Sequence, residues 1–81
     1  MNIGLSLKVA RTERELKLRE LASKLEISTS YLSLLENNKR DLSFDLLVSI
    51  CYVLQFAPSE IVKRAEGYET PYIPSDDDIP F

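Results

Sequence analysis

The chain has 81 residues, of which 44% are hydrophobic, and a formal net charge of −3 at pH 7. This length allows one small domain, and no apolar run approaches the roughly 20 residues that a membrane-spanning helix needs. The single Cys51 and the absence of histidine exclude an internal disulfide, a zinc site and a histidine-based catalytic triad. The first residues also lack the basic start and long apolar run of a signal peptide. We therefore expect a cytoplasmic protein that is not an enzyme and that binds no metal, cofactor or membrane.

The charge is unevenly distributed along the chain. Residues 1–66 hold all ten Lys and Arg and nine acidic residues, a net charge of +1, whereas residues 67–81 hold four acidic residues and no basic residue, a net charge of −4. Three of the four prolines also lie in this C-terminal part. A segment of this composition cannot bury enough apolar surface to fold. We predict a domain over residues 1–66 and a disordered acidic tail over residues 67–81.

Three short helices are predicted in the first half of the chain. In the first helix, Leu5, Val9 and Ala10 are expected to face inward, with Lys8, Arg11 and Arg14 at the edges. The apolar period stops after Leu25 and resumes at Leu32, which indicates two helices joined by a short turn, a helix-turn-helix. Ser28 is a good N-cap for the helix after the turn, whose free start suits an anion or the edge of a DNA base. The predicted bounds are Ile3–Glu13, Leu18–Leu25 and Thr29–Glu36.

The second half of the chain predicts two more helices after a polar loop over residues 37–41. Ser43 is the expected N-cap of the fourth helix, and Pro58 suits the first position of the fifth helix, which Gly67 should end. Leu46 and Tyr52 are surplus to the buried face of the fourth helix and favour a dimer interface. That buried face is predicted to contain Phe44, Leu47, Ile50, Cys51 and Leu54. The whole pattern predicts a compact, all-α domain of five helices.

A more specific signature lies at the end of the third helix and beyond it. The segment Leu35-Glu36-Asn37-Asn38-Lys39-Arg40 is followed by Ser43 and by the run Leu46-Leu47-x-x-Ile50. This pattern resembles the end of the recognition helix, the basic loop and the fourth helix of the Cro/cI, lambda-repressor-like family of helix-turn-helix domains. The resemblance covers about residues 3–61. It implies a lambda-repressor-like fold and a dimeric transcriptional regulator that binds double-stranded DNA in a sequence-specific way.

The resemblance also implies functions for individual positions. In this family an Arg of the first helix pairs with the Glu that closes the third helix, and Arg11 and Glu36 stand in those places as a structural pair. The family's base-reading positions match Thr29, Ser30 and Leu34, with Ser33 adjacent. Its phosphate-contacting positions match Lys17, Tyr31, Asn37, Lys39 and Arg40. From the residues alone, Lys39 and Arg40 could equally form an ordinary solvated loop, and Thr29 and Ser30 could be ordinary helix-start residues.

The sequence departs from the family pattern in three ways. Leu18 stands where the family usually has a Gln that touches phosphate. Leu34 stands where the family often has Gln or Arg, and we expect it to be exposed for contact with a thymine methyl group or another protein. Because a left-handed conformation costs most L-residues about 1–2 kcal/mol, we expect the turns that lack the family's glycines to differ in detail. The residues that replace those glycines are Glu15, Glu26, Asn38 and Gln55.

The last six residues form a second signature. The segment Asp76-Asp77-Asp78-Ile79-Pro80-Phe81 resembles the acidic tip of many bacterial single-stranded-DNA-binding proteins, which docks repair, recombination and replication enzymes. Phe81 offers a ring for an apolar pocket and a carboxylate for an Arg. Pro80 stiffens the approach, Ile79 adds apolar area, and the three Asp residues can lie along a basic ridge. Only this tip is shared, because nothing before it resembles the oligonucleotide-binding fold of those proteins.

Two functions are therefore compatible with the sequence. The first is a bacterial, phage or mobile-element regulator that binds double-stranded DNA as a homodimer, with the third helix in the major groove. The second is a protein-interaction module whose tip mimics the single-strand-binder tail and recruits or inhibits a DNA repair or recombination enzyme. Both can hold together. The tail could also be a solubilising end, a hexapeptide fused on by design, or a segment that covers Lys39 and Arg40 of its own domain.

Overall fold

The computed structural model describes residues 1–68. This part of the chain contains five α-helices and no strand, which confirms the predicted all-α fold. The helices are α1 Ile3–Glu13, α2 Leu18–Leu25, α3 Thr29–Glu36, α4 Phe44–Leu54 and α5 Pro58–Glu66. The predicted acidic tip, residues 76–81, and nearly all of the predicted tail lie outside the described residues.

Polar side chains and a proline determine where the helices begin. The side-chain oxygens of Asn2, Ser28 and Ser43 accept hydrogen bonds of 3.0–3.1 Å from backbone N–H groups in the first turns of α1, α3 and α4. Each bond satisfies one of the four N–H groups that a helix leaves unpaired at its start. The predicted caps at Ser28 and Ser43 are confirmed, as is Pro58 at the first position of α5.

The first four helices all end in the same kind of turn. After each of them one residue adopts a left-handed backbone conformation, with φ between 56° and 60°. The residue after it donates its N–H to the carbonyl oxygen five residues earlier, at 2.8–3.2 Å, which satisfies a carbonyl left unpaired at the helix end. The left-handed residues are Glu15, Glu26, Asn38 and Gln55. We expected the turns without glycine to differ in detail, but all four keep the left-handed conformation, and these hydrogen bonds hold it without a glycine.

A core of aliphatic side chains lies between the helices. Of α1, Ala10 is buried as predicted, but Leu5 and Val9 are only half-buried and Leu7 is buried in their place, so the predicted inward face of α1 is wrong at those positions. The face is rotated because α1 also buries Ser6, whose hydroxyl donates to the Ile61 carbonyl at 2.8 Å. The buried hydrophobic residues are Leu7, Ala10, Leu21, Ala22, Leu32, Leu35, Leu47, Ile50, Cys51, Leu54, Ile61 and Ala65.

The fourth helix differs from its prediction at two positions. Phe44, predicted to be buried, is 71% exposed because it stands in the first turn, beyond the part of α4 that the core covers. Leu46, predicted to be surplus, is half-buried and packs against the core. Tyr52 is 85% exposed, as predicted. The apolar side chains on the outer side of α4 are therefore Phe44, Val48 and Tyr52.

Within residues 1–68, no single helix is long and apolar enough to cross a membrane. Only α4 and α5 taken together have that length and composition, and they are bent by 102° to each other.

Candidate nucleic-acid interface

The turn between α2 and α3 presents the start of α3 to solvent. Its three residues run from the left-handed Glu26 to the N-cap Ser28, with Ile27 packed against the core between them. Leu32 and Leu35 are almost fully buried and attach the inner side of α3 to the core. The first turn of α3 therefore faces outward, and its residues Thr29, Ser30 and Tyr31 are exposed.

The two leucines that depart from the family pattern are both half-buried. Leu18 packs against the core, so it has a structural function at the start of α2. Leu34 was predicted to be exposed, but it is half-buried because the start of the α3–α4 loop turns back against the end of α3. Its carbonyl oxygen accepts the N–H of Lys39 at 2.8 Å. Ser33, beside Leu34, is also half-buried.

Apart from Tyr31 in the first turn of α3, the predicted phosphate contacts lie just before α2 and along the loop after α3. Lys17, Asn37, Lys39 and Arg40 are exposed. The Asn37 amide donates to the Ser33 carbonyl at 2.7 Å and so holds the end of α3. No ion pair among residues 1–68 involves Lys17, Lys39 or Arg40, since the ion pairs of this part of the chain are made by Arg11 and Arg64. These three cations are available to an external anion.

A buried ion pair connects α1 to the end of α3. Arg11 donates from Nε to Glu36 Oε2 at 2.8 Å and from Nη2 to Glu36 Oε1 at 3.1 Å. Its remaining nitrogen donates to the Leu16 carbonyl at 2.8 Å. Both side chains are nearly inaccessible, with 8% of Arg11 and 6% of Glu36 exposed. A two-pronged pair of this kind fixes direction as well as distance, so it sets the orientation of the end of α3 relative to α1.

A second connection between α1 and α3 centres on Asn38. Its Oδ1 accepts the Gly4 N–H at 3.1 Å, and its Nδ2 donates to Asn2 Oδ1 at 2.7 Å. The close approach depends on Gly4, because a Cβ there would lie 2.5 Å from the Glu36 carbonyl oxygen. Sequence reasoning missed this network. The only local sign of it was an Asn at a position that needs a left-handed conformation.

Lys8 was predicted at the edge of α1, but its position beside the α3–α4 loop was not predicted. Leu5 and Lys8 of α1 line a shallow recess whose other side is formed by Asn37 and Asn38. Lys8 is exposed and adjoins the loop that carries Lys39 and Arg40. A signal was present in the sequence, because Lys8 precedes Arg11 by three residues and therefore shares its helix face.

The described residues offer little material for metal or thiol chemistry. Residues 1–68 contain no group of three His, Cys, Asp or Glu side chains that could hold a metal ion. Cys51 is buried in the core, and this desolvation raises the pKa of its thiol. A raised thiol pKa lowers the fraction of reactive thiolate at neutral pH.

A supporting helix attached to the core by Leu21 and Ala22, a short turn and an outward-facing second helix are typical of the class of helix-turn-helix domains. A sequence model described as helix-turn-helix matches residues 7–61. The chain belongs to this family, of the xenobiotic-response-element or Cro/cI type.

Solved structures of two regulators are similar to the chain. ClgR, the clp gene regulator from Corynebacterium glutamicum, is 33% identical with a TM-score of 0.79, and two of its structures each match 82% of this chain and 70% or 86% of their own. SinR, a master regulator for biofilm formation solved in complex with DNA, is 33% identical with a TM-score of 0.69 over 74% of this chain and 97% of its own. None of the curated protein sequences matches the chain.

Proposed function

We propose that this DNA-binding transcriptional regulator of the helix-turn-helix family reads double-stranded DNA with α3 in the major groove. The observation that carries the proposal is the exposed first turn of α3 on a helix held by the core and by the Arg11–Glu36 pair. SinR, which shares this fold, has been captured in complex with DNA. Because its target is the cell's own or a resident element's DNA, we place the protein in the cytoplasm.

The proposed contacts divide into base readers and phosphate binders. Hydroxyl groups can donate to or accept from a base edge, and an apolar side chain can contact a thymine methyl group. We assign these functions to Thr29, Ser30, Ser33 and Leu34. Phosphate contacts position the protein and supply most of the affinity. We assign them to Lys17, Tyr31, Asn37, Lys39 and Arg40.

The two classes of contact respond differently to mutation. Lys39→Ala and Arg40→Ala should each weaken binding to every duplex and reduce the slope of log affinity against log salt by about one. Ser30→Ala should instead change the preference among sequences. The assay is duplex affinity for a selected operator and a scrambled duplex at two salt concentrations. Lys63→Ala, an equal loss of charge on α5, is the control and should leave both affinities nearly unchanged. Absence of duplex binding by the native chain at low salt would refute the proposal.

We also propose that the protein binds DNA as a homodimer through the outer side of α4. Phe44, Val48 and Tyr52 follow one another at intervals of four residues and are 71%, 39% and 85% exposed. A contiguous exposed apolar stripe of this kind is typical of an interaction surface. A second copy is the partner that fits, because helix-turn-helix dimers place two recognition helices one helical turn of DNA apart.

The dimer is tested by the double variant Phe44→Ser, Tyr52→Ser. Sedimentation should show a dimer shifting to a monomer, with unchanged helix content. Tyr31→Ser removes an exposed aromatic group from α3 instead and should leave the dimer intact. A native chain that sediments as a monomer at all concentrations would rule out this interface.

A second function is proposed for residues 76–81, on the basis of their sequence alone. These residues match the acidic tip of single-stranded-DNA-binding proteins, and we propose that they dock a DNA repair, recombination or replication enzyme. In a chain ending at Phe81, ring and carboxylate are captured together, so deletion of Phe81 or addition of one residue after it should abolish docking. The three Asp residues remain in both variants. The assay is competition between the full chain and a labelled peptide of residues 70–81 for a helicase or nuclease that binds such tips; equal competition by the variants would disprove docking.

A further inference from the structure

The chain leaves its folded domain beside the loop that carries Lys39 and Arg40. At the end of α5, the Ala65 carbonyl accepts the Asn2 N–H at 2.9 Å and the Tyr68 N–H at 3.1 Å. Asn2 in turn accepts a hydrogen bond from Asn38 at 2.7 Å. One residue, Asn2, therefore bridges the end of α5 and the α3–α4 loop.

Three basic side chains lie on or beside the α3–α4 loop, which Asn2 connects to the end of α5. Lys8 lines the recess between α1 and the loop, and Lys39 and Arg40 follow Asn38 directly. We call Lys8, Lys39 and Arg40 the basic surface. All three are exposed, and none of them forms an ion pair within residues 1–68. Asp41 directly follows Arg40 and is the acidic residue of the loop. The three basic side chains outnumber it, so the surface has a net positive charge.

The remaining 13 residues, 69–81, carry the opposite charge. This acidic segment contains Glu69 and Asp76, Asp77 and Asp78 and no basic residue. An extended chain spans about 3.3 Å per residue, so the eight residues from Tyr68 to Asp76 reach at most about 26 Å. That reach is longer than the span of Asn2, the single residue that connects the end of α5 to Asn38, which directly precedes Lys39.

We propose that the acidic segment binds the basic surface of its own domain and competes there with duplex DNA. The proposal rests on the proposed function, since Lys39 and Arg40 are among the assigned phosphate contacts. Exposed ion pairs are individually weak, but a short tether provides an effective concentration in the millimolar range. Partial occupancy follows, so the segment reduces DNA affinity by about two- to tenfold rather than blocking it. The effect weakens as salt shortens the range of the attraction.

The test uses the full chain and the full-length variant Asp76→Asn, Asp77→Asn, Asp78→Asn, which keeps shape and removes charge. Backbone amide signals of Lys8, Lys39 and Arg40 should differ between the two proteins in low salt and coincide in high salt. The Lys24 amide on α2 is the internal control and should not respond. Identical spectra in low salt would overturn the proposal, since no contact with the domain would exist to be lost.

Duplex affinity supplies the second measurement. The triple variant should bind duplex DNA about two- to tenfold more tightly than the native chain in low salt, with the ratio approaching one in high salt. Tighter binding with identical amide signals would mean that the segment repels DNA without touching the domain, which also overturns the proposal. If neither protein binds DNA, the proposed function fails, while the amide signals still decide whether the segment contacts the basic surface.

Discussion

Replacing Gln55 with glycine should make the protein more stable. Gln55 caps the end of α4 in a left-handed backbone conformation with φ of 60°. This conformation is unfavourable for a residue with a side chain and favourable for glycine. The Gln55 side chain is exposed. Arg14 donates to the carbonyls of Leu54 and Gln55, at 2.7 and 3.3 Å, and its guanidinium lies over the Phe56 ring, so none of its contacts uses the Gln55 side chain.

The magnitude follows from two opposing effects. An L-residue pays about 1–2 kcal/mol for the left-handed conformation, and glycine avoids that cost. Glycine also gains freedom in the unfolded chain, which costs about 0.5–1 kcal/mol. The free energy of unfolding should therefore rise by about 0.5–1 kcal/mol for Gln55→Gly. For a domain of this size that corresponds to a midpoint about 2–8 °C higher.

Thermal and denaturant unfolding followed by circular dichroism measure the change. Gln55→Ala is the matched control, because alanine removes the same side chain but keeps the conformational cost, and it should give no gain. Glu15→Gly and Glu26→Gly should each add a similar increment, since the three turns are separate. Asn38→Gly should not, because it loses the hydrogen bonds to Gly4 and Asn2. An equal response of glycine and alanine at position 55 would refute the reasoning.

Three further predictions concern buried groups. Gly4→Ala should lower the free energy of unfolding by about 1–3 kcal/mol, although alanine favours helices, because its Cβ would meet the Glu36 carbonyl; a raised thermal midpoint would contradict this. Arg11→Ala leaves Glu36 buried without its partner and should cost about 3–5 kcal/mol in denaturant unfolding, and a loss near zero would show that the pair is dispensable. Burial raises the pKa of the Cys51 thiol, so the folded state keeps a proton that the unfolded chain releases, and the free energy of unfolding should fall as pH rises above about 8.5. Cys51→Ala should lack that part of the decline, and identical pH profiles of the two proteins would disprove it.

Helix positions were predictable because their signals are local. An apolar period locates each helix, and Ser28, Ser43 and Pro58 mark three of the starts within a few residues of the backbone groups they serve. The exposed first turn of α3 followed from the same local pattern. The assignment of Thr29 and Ser30 to base contacts did not, because it depends on the family resemblance and not on any property of the two residues.

The inward face of α1 could not be predicted from its own residues. Ser6 and Arg11 are polar, and their burial depends on the Ile61 carbonyl, 55 residues away, and on Glu36, 25 residues away. Without those partners, burial of either side chain would be unfavourable, so an apolar count favours Leu5 and Val9 instead. The prediction that Phe44 is buried was wrong for a different reason. Its spacing from Leu47 matches a buried face, but spacing does not show where the neighbouring helices stop.

The same long-range contacts determine the geometry of the proposed DNA-binding site. Arg11 contacts Glu36, the last residue of α3, and Gly4 contacts Asn38, two residues beyond it, so they hold the helix that carries the proposed base contacts without facing the DNA themselves. Loss of either contact should therefore lower DNA affinity together with stability. Arg14 holds the turn at Gln55 through backbone carbonyls that glycine keeps, and Gln55 itself does not contact α3, so Gln55→Gly should raise stability without changing DNA affinity. A measured change in duplex affinity for Gln55→Gly would contradict this expectation and show that the stability of α4 and the position of α3 are coupled.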